Sequence, residues 1–164
     1  MAKQMKQSVQ RVAAALRAAG IDAEIKELSD STRTAEEAAA AIGTSVPKIV
    51  KSLVFLADGD PILTLVSGSN RLDTDRLGAA LGRTIARADA AAVRTATGFA
   101  IGGVPPLGHA APLDVLIDRD LLQYDEVWAA AGTPHAVFPI RPDALVTATS
   151  GRVIDLKVED RAVG

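Results

Sequence analysis

The segment Ser52-Leu53-Val54-Phe55-Leu56-Ala57-Asp58-Gly59-Asp60-Pro61-Ile62-Leu63-Thr64-Leu65-Val66 decides the fold class of this chain. Its two apolar runs, 52–57 and 62–66, are rich in strand-forming residues and flank a stretch of turn-forming residues. This pattern predicts an antiparallel hairpin with a four-residue connection, 58–61. Strands joined by so short a connection are antiparallel, so the sheet that contains them is not purely parallel.

Helix patterns precede the hairpin. Apolar residues recur at helical spacing over 5–19, and Gly20 stands where a C-terminal cap belongs. Thr34 and Glu37 have the spacing of a capping box, which predicts a second helix that runs to Ile42. Both helices are therefore expected to pack against the sheet that the hairpin begins.

Other segments predict further strands and helices. Residues 21–25 alternate between apolar and polar, which is typical of a half-buried strand, and 99–101 read as a strand that leads into a glycine-rich loop. The remaining predictions are a helical turn at 45–47, helices over 72–81, 89–96 and 142–147, and strands over 85–88, 114–118, 126–130, 136–140 and 153–156. Together these elements predict one mixed α/β domain over 1–164, with a largely antiparallel sheet flanked by helices.

Composition excludes several classes of function. The 164 residues include no cysteine, which excludes a thiol nucleophile, a cysteine-based zinc site and a disulfide framework. The formal net charge is −2, so broad binding to DNA is not expected and any contact with nucleic acid should be small and local. No stretch approaches the roughly 20 apolar residues of a membrane span. We expect a soluble, cytoplasmic protein.

The sequence also lacks the usual catalytic and cofactor motifs. His109 and His135 are its only histidines, and neither belongs to an H-E-x-x-H pattern. The glycines form neither a Walker loop nor G-x-G-x-x-G, and Ser67 and Ser69 bracket Gly68 in the wrong order for a nucleophile elbow. We therefore expect no metal and no cofactor.

Two features remain as candidates for chemistry. Lys51 stands where an apolar strand begins, and the loop 102–108 reads Gly-Gly-Val-Pro-Pro-Leu-Gly. Such a loop is rigid and brings backbone amides close to a ligand, because glycine permits unusual dihedrals and proline fixes φ. Taken separately, the lysine reads as a solvated strand end and the loop as a turn. Together they indicate a site that holds a reactive substrate with one charge and bare backbone.

Four sequence blocks resemble the YbaK-like domain, a family found as the editing insertion of bacterial prolyl-tRNA synthetases and as free-standing aminoacyl-tRNA deacylases. The more specific blocks are the lysine that enters a core strand and the Gly-x-x-x-Pro loop. The blocks lie in the expected order over most of the chain: 32–39 (TRTAEEAA), 49–55 (IVKSLVF), 98–108 (GFAIGGVPPLG) and 131–135 (AGTPH).

The resemblance implies a YbaK-like, barrel-like sheet and an activity. The expected reaction is hydrolysis, without metal or covalent intermediate, of the ester that joins a wrong small amino acid, such as alanine or cysteine, to proline tRNA. The implied partners are the acceptor end of aminoacyl-tRNA and prolyl-tRNA synthetase, and the protein is expected to be a monomer or weak homodimer. The catalytic candidates are Lys51, Gly102 and Gly103. The substrate-binding candidates are Val54, Leu65, Ser69, Val104, Pro105, Pro106, Gly108, His109, Thr133 and His135.

Two alternatives stay open from the sequence. The same pocket would also suit a non-catalytic module that binds an amino acid or aminoacyl nucleotide. A small-molecule esterase or amidase is a third reading, although the chain offers no clear nucleophile or metal site for it. Val104 and Pro105, next to the expected pocket, depart from some family members, which leaves the preferred amino acid open.

Overall fold

The computed structural model describes residues 6–29, 32 and 34–159. Within these ranges the chain forms five α-helices, eight strands and two 3-10 turns. The helices are α1 (Gln7–Ala18), α2 (Ala35–Ile42), α3 (Thr74–Leu81), α4 (Ala90–Thr97) and α5 (Pro142–Thr149). The strands are β1 (Lys26–Glu27), β2 (Val50–Ala57), β3 (Asp60–Ser67), β4 (Ile85–Arg87), β5 (Asp114–Asp118), β6 (Val127–Ala130), β7 (Ala136–Ile140) and β8 (Arg152–Ile154). The 3-10 turns are Val46–Lys48 and Arg119–Gln123. Met5, Arg33 and both chain ends lie outside the described residues.

The strands form two sheets. One has five strands in the order β4-β2-β3-β5-β8, and the other has three in the order β1-β7-β6. The pairs β3-β5 and β5-β8 are parallel and the other four pairs are antiparallel, so the predicted mixed, largely antiparallel α/β fold is confirmed. No closed barrel is found in the described residues: the strands form two open sheets, which a single bridge between Ile49 and Trp128 of β6 joins.

The predicted hairpin is present, but its connection is shorter than expected. β2 and β3 pair from Val50↔Ser67 to Ala57↔Asp60, which leaves only Asp58 and Gly59 in the turn. Both turn residues have positive φ, 48° and 87°. This is the geometry that two-residue hairpin turns require, and Asp-Gly is a favoured sequence for it. The apolar pattern located the strands but missed the polar residue Asp60, which still pairs.

Two predicted strands are wrong. Residues 21–25 have no strand assignment, although Ile21, Ala23 and Ile25 pack against the core at alternate positions. The predicted strand 99–101 is also absent, because Gly98 adopts a left-handed conformation at the end of α4 and a turn follows. Residues 21–25 alternate between half-buried and exposed side chains but have no neighbouring strand to pair with, and in 99–101 only Phe99 is buried.

The predicted capping of α2 is confirmed. Thr34 accepts a hydrogen bond from the amide of Glu37 at 3.0 Å, and Gly43 ends the helix with a φ of 85°. The buried alanines of α2 pack with Ile49 and Trp128, which fixes the helix beside the start of β2. Within the described ranges, no helix is both long and apolar enough to cross a bilayer.

Candidate functional site

Two connected cavities lie beside the first half of β2. One has a volume of about 360 Å³ and the other about 510 Å³. They share six lining residues: Lys51, Ser52, Leu53, Ile101, Gly102 and Val104. The junction between the cavities is therefore formed by one short segment of β2 and one short segment of the glycine loop.

The edge of β2 is unpaired where the cavities meet. On the side away from β3, the strand pairs with Trp128 at Ile49 and with β4 from Phe55 onward, and no described residue pairs with it in between. Backbone groups of alternate residues in a paired strand point to opposite edges. Because Ala57↔Asp60 closes the two-residue turn, the amide and carbonyl of Ser52 face the open edge. The cleft is thus bordered by free backbone hydrogen-bonding groups of β2.

Lys51 lines both cavities, and a backbone carbonyl holds its ammonium group. Its ammonium donates a hydrogen bond to the carbonyl oxygen of Asn70. Partial burial lowers the pKa of Lys51 below its ordinary value, and the nearby carboxylates of Glu36 and Asp118 oppose that shift. An ammonium has three donors, so two remain for a ligand.

A buried polar cluster fixes the segment that holds Lys51. Asp118 is fully buried, and its carboxylate accepts hydrogen bonds from the amide of Ser67 at 3.0 Å and the side chain of Asn70 at 2.8 Å. The Asn70 amide group also donates to Asp120, which pairs with Lys157 at 3.0 Å. Buried charges that are fully hydrogen-bonded are rigid features of a fold. Asn70 therefore presents its carbonyl to Lys51 from a fixed position.

The approach to the glycine loop is fixed by α4 and α1. The Thr97 hydroxyl donates to Val93 and accepts from the amide of Phe99, whose ring is buried. The guanidinium of Arg11 lies 4.5 Å from the Phe99 ring centre and donates to the carbonyl of Gly98 at 3.1 Å. These contacts hold the loop against the core, which agrees with the predicted rigidity.

Gly103 is a predicted catalytic residue, but its amide and its carbonyl both already have hydrogen-bond partners. Its amide donates to the carbonyl of Ala100 at 3.0 Å, and its carbonyl accepts from the amide of Gly132 at 3.0 Å. An amide that already has a partner is not free to bind a developing oxyanion. The neighbouring amides of Gly102 and Val104 have no acceptor among the described residues, and both residues line the cleft.

The other predicted substrate-binding residues are divided between the cleft and its surroundings. Val54 lines the larger cavity and Val104 lines both. Leu65, a predicted wall residue, is fully buried and borders neither cavity. Ser69 is exposed and Pro105, within the glycine loop, is buried; neither residue borders the two cavities.

A separate cavity contains several residues that the sequence analysis placed at the site. Pro106, Gly108 and His109 line this third cavity, of about 280 Å³, which does not include Lys51. The His109 ring contacts the Pro105 carbonyl at 2.7 Å, and burial lowers the pKa of His109. The chain turns at the buried prolines, so residues after them face away from the cleft. Their predicted place beside Lys51 is not supported.

The loop 131–135 supports the glycine loop rather than lining the cleft. Gly103 approaches the backbone of Gly132 and Thr133 so closely that a Cβ atom would lie 2.7–2.8 Å from their backbone atoms. Thr133 accepts a hydrogen bond from the amide of His135, and His135 is exposed. Neither Thr133 nor His135 lines the two cavities.

Sequence reasoning missed several residues of the cleft. Exposed Ile101, 59% accessible, lines both cavities and lies within the block 98–108, which predicted no role for it. The others are Thr32, Thr34, Glu36, Ile49, Val50 and Gly68 in the smaller cavity, Arg71, Arg87, Phe55 and Thr74 in the larger, and Ser52 at the junction. The blocks 32–39 and 49–55 contain most of these residues, but the sequence assigned a role only to Thr34, as a helix cap.

Ser52 provides a test of how the junction is packed. Its Oγ is the one buried side-chain polar atom without a hydrogen-bond partner that the described part of the chain contains. An unsatisfied buried hydroxyl costs stability, so Ser52→Ala should leave the free energy of unfolding unchanged or raise it by up to about 1 kcal/mol. Urea denaturation measures this difference.

Ser67→Ala is the matched control, because the Ser67 hydroxyl donates to the Pro47 carbonyl at 2.6 Å. Removing that bond should cost about 1 kcal/mol. A loss in Ser52→Ala as large as that in Ser67→Ala would show that Ser52 has a partner in solution.

Comparisons with known proteins place this arrangement in a family. A model of the aminoacyl-tRNA editing domain matches residues 29–148. A solved structure named "putative trans-editing enzyme for prolyl tRNA synthetase" is 48% identical, covers 95% of this chain and all of its own, and superposes with a TM-score of 0.91.

Two sequence relatives agree with that match. The uncharacterized protein YwhH of Bacillus subtilis (strain 168) is 31% identical over 123 residues, 74% of this chain and 78% of its own. The proline–tRNA ligase of Nitratidesulfovibrio vulgaris (strain DP4) is 35% identical over 89 residues, 54% of this chain but only 16% of the ligase. The family model covers well over half of the chain, so the chain belongs to the aminoacyl-tRNA editing domain family, whose members share the YbaK-like fold.

Proposed function

We propose that this protein is a trans-editing deacylase that hydrolyses the ester of mischarged aminoacyl-tRNA, chiefly proline tRNA that carries alanine or cysteine. The observation that carries the proposal is the junction of the two cavities, which is lined by Lys51 and by Gly102 and Val104, whose amides have no acceptor among the described residues. Membership of the editing family and the likeness to a protein named for prolyl tRNA synthetase support the substrate class. The proposed setting is the cytoplasm, with the synthetase as partner.

The chemistry needs little from the protein. Water attacks the ester carbonyl, a carbon–oxygen bond forms, and negative charge develops on the carbonyl oxygen. The bond to the ribose oxygen then breaks. One proton of the water passes to that oxygen, the other is released to solvent, and the amino acid leaves as a carboxylate. Preorganised donors stabilise the intermediate, and one such donor is worth about 3 kcal/mol or a hundredfold in rate. The amides of Gly102 and Val104 supply these donors. Lys51 orients the ester carbonyl of the substrate, and the free ribose hydroxyl orients the water.

Selection among amino acids is proposed to be steric. The apolar part of the smaller cavity's wall is formed by Ala35, Ile49, Val50 and Gly68, beside the polar residues Thr32, Thr34 and Glu36. A Cβ atom on Gly68 would lie 2.9 Å from the Ala35 side chain, so this wall is already closely packed. A difference of one methylene is worth roughly 1–3 kcal/mol, which favours small side chains over larger ones.

A deacylation panel tests the proposal. Purified protein is mixed with alanyl-, cysteinyl-, seryl- and threonyl-tRNA, with cognate prolyl-tRNA as the control, and release of the amino acid is followed. We expect rapid release from at least one small-side-chain ester and none from prolyl-tRNA. Binding of these tRNAs without any release would support a non-catalytic binding module instead. Hydrolysis of simple chromogenic esters alone would support a small-molecule esterase.

A further inference from the structure

The larger cavity carries a local cluster of positive charge. Lys51, Arg71 and Arg87 all line it, and none of its lining residues is a carboxylate. Arg71 and Arg87 are exposed, and neither forms an ion pair with any residue that the structure describes. Unpaired arginines around a concave surface favour an anionic ligand, since a guanidinium matches the geometry of phosphate oxygens.

The geometry of the sheet brings these residues together. Lys51 and Phe55 are four positions apart on β2 and so lie on the same face of the sheet. Arg87 is the direct cross-strand partner of Phe55, which places it on that face as well. Arg71 follows Asn70, whose carbonyl holds the Lys51 ammonium. Three cations and one half-buried aromatic ring therefore line one cavity that extends from the junction.

The smaller cavity has the opposite character. Glu36 lines it, and Lys51 at the junction is the only cation among its described lining residues. Thr32 and Thr34 add hydroxyl groups to the same wall. A carboxylate with hydroxyl groups suits an ammonium group, which the amino acid of an aminoacyl ester carries.

We propose that the larger cavity binds the terminal nucleotides of the RNA acceptor strand, with Arg71 and Arg87 on their phosphates and Phe55 against a base, while the smaller cavity takes the amino acid. This assignment rests on the proposed function, and it orients the substrate across the junction. The ester, which joins the two parts, then lies over Lys51 and Gly102. A chain of net charge −2 can bind RNA in this way because only a few phosphates are contacted.

Binding of the trinucleotide CpCpA tests the assignment without any need for catalysis. Calorimetry would compare the wild type with Arg71→Gln/Arg87→Gln and with Arg17→Gln, a control on α1 that lines neither cavity. We expect the double variant to bind at least about tenfold more weakly and the control to bind as the wild type does. The slope of log affinity against log salt should fall by about 1.4, since each lost contact to single-stranded RNA contributes about 0.7.

Deacylation measurements separate this proposal from the proposed function. With an alanylated acceptor-stem RNA the double variant should show a raised KM and a nearly unchanged kcat, whereas hydrolysis of alanyl-adenosine, which has no phosphate, should be unaffected. If the wild type hydrolyses no ester but its binding of CpCpA still depends on the two arginines, the enzymatic function is wrong and the nucleotide-binding site is supported. Failure of the wild type to bind CpCpA, or equal binding by the double variant, overturns the assignment.

Discussion

Replacing Lys51 by alanine is expected to lower kcat/KM for deacylation of alanyl-tRNA by about a hundredfold or more. The residue lines both cavities at their junction and brings the one ammonium group among the described lining residues there. Removal of a single preorganised donor from an acyl-transfer site costs about 10²–10³ in rate. Single-turnover assays with enzyme in excess measure the hydrolytic step directly.

Lys48→Ala is the matched control for this variant. It removes the same charge three residues earlier, from a side chain that borders neither cavity. We expect it to retain wild-type activity and Lys51→Ala to remain folded, because burial of the Lys51 ammonium opposes rather than supports stability. Equal activity of the wild type and Lys51→Ala would exclude a catalytic role for this lysine.

The pH dependence follows from the same group. Burial lowers the pKa of Lys51, so the ammonium loses its proton at a lower pH than an ordinary lysine does, below 10.5. If the charged form is required, activity is present below that lowered pKa and is lost as pH rises through it. Lys51→Arg should keep its charge and lose less activity at alkaline pH. Rates must be corrected for spontaneous ester hydrolysis, which also rises with pH.

Gly103→Ala is expected to destabilise the domain by roughly 2–3 kcal/mol, the second large effect. A Cβ atom at this position would lie 2.7–2.8 Å from backbone atoms of Gly132 and Thr133, which cannot move as a flexible side chain would. Overpacking of this kind costs about 1–3 kcal/mol. Thermal denaturation should show a decrease in Tm of roughly 4–12 °C for a chain of this size.

Gly82→Ala distinguishes a backbone clash from simple conformational strain. Gly82 has a φ of 64°, yet a Cβ atom there would have nothing within 4 Å. Its replacement should cost only about 1–2 kcal/mol, the penalty for a left-handed conformation. If Gly103→Ala and Gly82→Ala lose similar amounts of stability, the glycine loop 102–108 is not packed against the loop 131–135 as described.

Local pattern predicted those parts of the fold that depend on local chemistry. The Thr34 cap, the strands on either side of Asp58-Gly59 and the helix ends at Gly43 and Gly82 were all readable, because each depends on residues within a few positions. Residues 21–25 show the limit: their side chains alternate between core and solvent as a strand would, but no neighbouring strand pairs with them. Strand pairing requires a second segment that is far away in the sequence, and the periodicity of one segment carries no information about it.

In the candidate site, too, the residues that local sequence identifies differ from those that depend on tertiary structure. Lys51 and Gly102 were identified because a charge before an apolar strand and a Gly-Pro loop are visible in sequence. Arg87 was not, since it reaches the cleft only through its cross-strand pairing with Phe55. The buried turn at Pro105 and Pro106 sends His109 to another cavity, and sequence proximity had suggested the opposite.

A crystal structure with a hydrolysis-resistant substrate analogue would show directly where the ester binds. In alanylamido-adenosine the ester is replaced by an amide, so the ligand remains intact. We predict that its carbonyl lies between the Lys51 ammonium and the amides of Gly102 and Val104, with the alanine in the smaller cavity. The analogue bound elsewhere, for example beside His109, with the junction empty, would contradict the account.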